Sequence, residues 1–166
     1  MVNAFWLDRN LEQTARWLVN SHVTSSVFEC SMVLTTAVQL RGYDEEGLSF
    51  THSKHPLTQW AARALENWEY LREYTACAHE EWRYRWNHGL DEYHGSWAGV
   101  RRLNDDRIAA LDWTGNPGDP PQVVGDWRTD DYVDAYRLYY ANEKRHLFEW
   151  AKNRRPPPWL DEYRRE

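Results

Sequence analysis

The chain has 166 residues, enough for one domain with a sizeable core, and a formal net charge of −6, which excludes a purely electrostatic, histone-like duplex binder. Its aromatic content is unusual: 11 Trp and 10 Tyr stand against 4 Phe and 2 Met, so either the core is aromatic with polar edges or a surface stacks planar ligands. Cys30 and Cys77 lack metal-ligand spacing, which argues against a disulfide framework and for a reducing compartment.

Charges at Asp8, Arg9, Glu12 and Arg16 interrupt any signal-peptide core, and no apolar run approaches the roughly 18 residues that span a bilayer. A soluble cytoplasmic protein is the expectation. Residues 3–7 read as an extended lead-in. Asn10, with Gln13 three residues on, is positioned to cap a first helix from Leu11 to Leu40. The Ser- and Thr-rich stretch from Asn20 to Ser26 predicts a kink in it. Residues 41–47 form a loop.

Pro56 suits the first position of a second long helix, traced by Leu57, Ala61, Ala64, Trp68, Leu71, Thr75, Ala78 and Trp82 and ending near Asn87–Gly89. On it, His79-Glu80-Glu81 reads as a solvated face. Residues 89–128 are irregular, with a short helix over Trp97–Leu111 and a loop at 115–121. A third long helix begins near Thr129 or Asp130, with Asp131 in its first turn, and runs to Trp150. Pro156–Pro158 stop the helical run, and Trp159 tucks the tail back. The expected architecture is therefore all-α, a single domain over 1–166 with three long helices, the first one kinked. An irregular 89–128 connection and an aromatic C-terminal tail complete it.

Polar residues recur in the apolar stripes. His22 and Glu29 lie two turns apart on the first helix, Asn67 lies in the second stripe and Glu143 in the third, beside Asn142 and Lys144. Buried carboxylates are costly unless paired, so convergence of these groups on one polar pocket is the functional expectation. The bland alternative is a hydrogen-bond network that sets helix register. His52 and His55, just before Pro56, could present donors to an anion or ligate a metal, but no repeated metal-ligand pattern requires one, and no cofactor is expected. Basic residues from Lys144 onward, interleaved with Trp150 and Trp159, could track a phosphate backbone or simply snorkel.

The order of features resembles that of small helical proteins of phages and prokaryotes. The elements are Leu7-Asp8, His22-Val23, His52-Ser53-Lys54-His55-Pro56, Glu66-Asn67, Tyr140-Ala141-Asn142-Glu143-Lys144 and Pro158-Trp159. More distantly, the plan is similar to the pyrimidine-dimer DNA glycosylases of the endonuclease V type. That resemblance implies DNA repair or modification by base excision, with an N-terminal amine attacking the sugar carbon, a glutamate of the first helix assisting, and the damaged base flipped out of the stack. If Met1 is removed, Val2 offers that amine. The chain departs from the family in having His22 where the glutamate is expected, with Glu29 two turns later.

The expectation is thus a hydrolase-like enzyme acting on a nucleobase or N-glycosidic bond in DNA or a nucleotide. Glu29 or Glu143 would serve as base or cation stabiliser and His22 as acid–base group or phosphate donor. Lys144 would be an amine or phosphate contact, while Asn67, His52, His55, Asn142 and Trp159 would bind substrate. Two alternatives stand beside it: a Trp-rich module docking nucleic acid or protein through its basic tail, and a metal-dependent hydrolase using His22, His52, His55 and Glu29.

Overall fold

The computed structural model describes residues 2–166. Its regular elements are all helical: α1 (Leu11–Trp17), α2 (Asn20–Leu40), α3 (Pro56–Arg63), α4 (Leu65–Arg85), α5 (Gly95–Arg101), α6 (Asp105–Ala109), α7 (Tyr132–Glu143) and α8 (Leu160–Tyr163). Among the described residues there is no strand. The frame is the pair α2 and α4, which run antiparallel. Trp68 Nε1 near the start of α4 donates to the Leu34 carbonyl at 3.0 Å, and Arg85 at its end reaches Asn20 Oδ1 at 3.1 Å. The short helices α1 and α3 pack on this pair, α5 lies against α2, and α7 carries α8.

Three long helices were expected, and each is interrupted. The first is broken, not kinked, and the break precedes Asn20: Leu18 and Val19 are extended, with ψ of 136° and 157°. Ser25 and Ser26 remain helical because their hydroxyls bond outward or back to carbonyls, Ser26 Oγ to Asn3 and Ser25 Oγ to His22. The joint forms because other parts of the chain satisfy it. Val19 N–H donates to the Tyr140 hydroxyl and Asn20 N–H to the Glu149 carbonyl, both at 2.9 Å.

The second helix breaks at Ala64, whose φ of −144° and ψ of 145° are those of a strand. Two carbonyls that a continuous helix would use internally are diverted. Trp60 O accepts the Asn67 side-chain amide at 2.9 Å, and Arg63 O accepts Gly115 N–H at 2.9 Å. The third helix ends at Glu143, so Leu147 and Trp150 lie beyond it. The chain peels away there because Glu149 O and Trp150 Nε1 bond to Asn20 and to the Trp17 carbonyl across the α1–α2 joint.

Several expectations hold. Asn10 Oδ1 caps α1 by accepting Gln13 N–H at 2.9 Å, and Pro56 opens α3. The loop at 115–121 is present, and the α4 run closes at Asn87 in a left-handed turn with φ of 56°. Asp131 acts as the N-cap of α7, accepting from Val133 N–H and Asp134 N–H, not as a first-turn charge. The helix expected over 97–111 is two, α5 and α6, capped by His94 and Asn104.

The core is aromatic. Trp6, Trp68, Tyr74 and Tyr140 are fully buried, and Trp6 packs against Tyr74 and Tyr136 with ring centroids 5.0 and 5.6 Å apart. Their polar handles are mostly bonded, as buried donors require. By length and composition α2 could cross a membrane, its best 18-residue window having a mean hydropathy of 1.2, contrary to the sequence expectation. However, 61% of that window is buried inside the protein, as in a core helix.

Candidate functional site

The polar groups of the three stripes do not converge on one pocket, because each is engaged by a different neighbour. Asn67 is buried, with its amide donating to Trp60 O and its Oδ1 accepting Gly118 N–H at 3.1 Å, so it ties the 114–121 loop to the α3–α4 break. Asn142 donates to Leu138 O and Tyr163 O and accepts from Arg165 N–H, clamping the tail. Glu143 is exposed and accepts Trp127 Nε1–H at 3.0 Å.

Trp159 is buried in an edge contact with Trp17 at 5.8 Å, under the Arg137 guanidinium at 5.1 Å. With Trp150 also bonded to the Trp17 carbonyl, the tail turns its indoles inward. His55 Nδ1 caps α3 by accepting Leu57 N–H at 3.1 Å, and His52 lies exposed in a left-handed conformation with φ of 56°. Among the described residues no three His, Cys, Asp or Glu side chains stand close enough to share a metal ion. The ligand set His22, His52, His55 and Glu29 is therefore not assembled.

A smaller constellation is assembled, where the lead-in crosses α2. The lead-in is pinned at Asn3 and Phe5. The Glu29 carboxylate accepts Asn3 N–H and, at 3.4 Å, the Asn3 side-chain amide; Ser26 Oγ–H donates to Asn3 O at 2.5 Å. Phe5 N–H donates to the Tyr74 hydroxyl at 3.0 Å. The Phe5 ring thereby becomes a hub. It stacks on His22 with centroids 4.4 Å apart, lies 6.3 Å from Tyr139 at 22°, and has the Lys144 ammonium 5.8 Å from its centre.

The Tyr140 hydroxyl, which accepts Val19 N–H, also shares a 2.8 Å hydrogen bond with His22 Nδ1; when the hydroxyl donates in that bond, the imidazole proton sits on Nε2. Burial, followed by the positive charges of Lys144 and His146, pushes the His22 pKa down to about 3. At neutral pH the ring is therefore an uncharged hydrogen-bond donor and not a proton carrier. Nε2 has no partner among the described residues.

Val2 is 7% exposed and belongs to the apolar core, one residue before the Glu29-bound Asn3. Met1, whose removal would free the Val2 amine, lies outside the described residues.

Several structurally decisive residues were not singled out from the sequence. His79 and Glu81, expected in solvent, are 1% and 5% exposed. Glu81 accepts Arg85 Nε–H at 2.8 Å and Arg154 Nε–H at 2.6 Å, while Arg85 also donates to the carbonyls of Ala15, Arg16 and Leu18 at the end of α1. The signal was available: Leu71, Tyr74, Ala78, Glu81 and Arg85 continue one helical stripe at spacings of three and four. His79 Nε2 accepts His94 N–H at 3.0 Å within a box of Trp82, Tyr93 and Trp97. Burial and the neighbouring Arg83 lower its pKa to about 4.

Comparison with family models, with curated proteins and with solved structures finds no match to this chain.

Proposed function

We propose that the chain is an enzyme acting on an N-glycosidic bond or nucleobase of DNA or a nucleotide, and that it works on the face where the lead-in crosses α2. One observation carries this reading: the Phe5 hub gathers a neutral hydrogen-bond donor, His22, and a cation, Lys144, while the same lead-in seats the Glu29 carboxylate beside Asn3. Glycosidic cleavage develops positive charge at the sugar carbon, which a carboxylate stabilises, and negative charge on the departing base, which a fixed donor stabilises. In this reading Glu29 faces the sugar, His22 Nε2–H donates to the base or a phosphate, and Lys144 binds phosphate or attacks as an amine. Glu143, bonded to Trp127, has the lesser part.

The test is incubation with UV-irradiated and undamaged duplex DNA, with borohydride to trap an imine. A covalent adduct on damaged DNA, mapped to Val2 or Lys144 and reduced at least about a hundredfold by Glu29→Gln, is the expected result. No adduct, no strand cleavage and no base released from DNA or nucleotides would overturn the reading.

A further inference from the structure

At the opposite end of α2 lies a cleft of about 560 Å³ between the helix terminus, α3 and the 114–121 loop. Its two cations are Arg41 and Arg63. The loop is wrapped on Arg63. Gly115 N–H donates to Arg63 O at 2.9 Å, and Arg63 Nε–H donates to Asn116 O at 3.1 Å. A β-carbon at Gly115 would stand 2.2 Å from Arg63 Cγ, and one at Gly118 would stand 3.0 Å from a terminal guanidinium nitrogen. At Gly115, where a β-carbon would also stand 2.6 Å from the Arg63 carbonyl oxygen, only glycine lets the backbone approach so closely.

The guanidinium is thus oriented by a neutral carbonyl, and among the described residues it is in no ion pair. Arg41 is held in the same manner, by a 3.4 Å contact to Asp112 O, and is likewise unpaired. Its Nε is buried and faces away from solvent, so the terminal nitrogens are the part of this guanidinium that a ligand in the cleft could meet. Gln59, Thr114 and Asp119 add further polar groups to the lining, and Pro121 a flat apolar wall.

We propose that this cleft binds a phosphorylated small molecule of about mononucleotide size, with its phosphate on Arg41 and Arg63 and its polar remainder on Gln59, Thr114 and Asp119. Two positioned guanidinium groups without carboxylate partners are the chemistry that selects phosphate, through charge-assisted and bidentate hydrogen bonds. The volume lies within the roughly 300–1,000 Å³ of small-molecule sites. His22 and Leu40 are separated by about 27 Å along α2 at 1.5 Å per residue, so this is a second site, distinct from the Phe5 hub.

The experiment is calorimetric titration of the intact chain at near-physiological salt with thymidine 5′-monophosphate, inorganic pyrophosphate and thymidine. The two phosphates are expected to bind saturably and thymidine not at all. Arg41→Gln and Arg63→Gln should each weaken binding by about tenfold or more, and Lys144→Gln should not. Because Arg63 also holds the loop, Arg41→Gln is the deciding variant, with its melting temperature confirming the fold. No binding of either phosphate, equal binding of thymidine, unchanged affinity in Arg41→Gln, or loss in Lys144→Gln would each overturn the proposal.

Discussion

The two ends of the site-bearing half of the α2–α4 pair solve polar burial in opposite ways. Where α4 ends, the solution is charge: Glu81 sits between Arg85 and Arg154, and the guanidinium of Arg85 is spread over two carbonyls of α1, that of Leu18 and the Asn20 side chain. Where the lead-in crosses, the solution is neutral: hydroxyls of Tyr74, Ser26 and Tyr140, and an uncharged His22. The charged node is closed, with its central carboxylate fully engaged. The neutral node is open at one atom, His22 Nε2, and carries charge only at its edge, on Lys144 and on Glu29, whose carboxylate holds Asn3. A buried ion pair is a poor place for chemistry because any substrate must compete with it, whereas a neutral frame orients groups without neutralising those that act.

The largest effect should come from breaking the charged node. Glu81→Ala leaves two guanidinium groups without their carboxylate and is expected to cost about 3–5 kcal/mol in urea unfolding. A loss below about 1 kcal/mol would mean that water or another acid replaces Glu81.

Lowering the pH probes the neutral node and the second buried histidine together. Folded His22 and His79 stay neutral down to about 3 and 4, against an ordinary value of 6.5. The unfolded chain therefore binds more protons below pH 6.5, and stability falls as pH drops through that window, by about 1.4 kcal/mol per pH unit for each histidine. The decline attributable to His79 ends near pH 4 and that of His22 near pH 3. Thermal unfolding at a series of pH values should show the slope, and it should flatten in His79→Gln or His22→Gln.

A milder test is Tyr74→Phe, which strands the buried Phe5 N–H and should cost about 1–3 kcal/mol. Hydrogen exchange at Phe5 would report it directly. The smallest stability effects belong to the edge charges. Glu29→Gln and Glu143→Gln keep an acceptor for Asn3 and Trp127, so each should shift stability by less than about 1 kcal/mol, while only Glu29→Gln removes activity. Equal loss of folding and activity in Glu29→Gln would make the neutral node purely structural.

Helix starts were the most legible part of the sequence, because they depend on neighbours in the chain: Asn10, Pro56 and Asp131 all lie at helix beginnings. The breaks at Leu18–Val19 and Ala64 were not legible. Neither contains glycine or proline, and each exists because distant groups, Tyr140 and Glu149 in one case and Gly115 in the other, take over backbone bonds. The candidate site was half legible. His22 and Glu29 were visible as polar residues on an apolar face, but the aromatic partner that connects His22 to Lys144 comes from the lead-in, whose packing follows no periodicity. Glu81 was misjudged because its neighbour Glu80 is exposed, and a single charged pair on a helix reads as solvated until the stripe is followed to Arg85.

The α1–α2 joint has a temporal consequence. Its backbone groups are satisfied by Arg85, by the Tyr140 hydroxyl, and by Glu149 and Trp150, and Asn20 Oδ1 also accepts Ala151 N–H. On a ribosome adding about 5–20 residues per second, the first forty residues emerge several seconds or more before those partners exist. Until then the joint has only its local backbone bonds and water, and the hub around Phe5 lacks Tyr139, Tyr140 and Lys144. The hub around Phe5 can therefore form only once the chain through Lys144 has been made, and the segment that follows α7 then closes the α1–α2 joint.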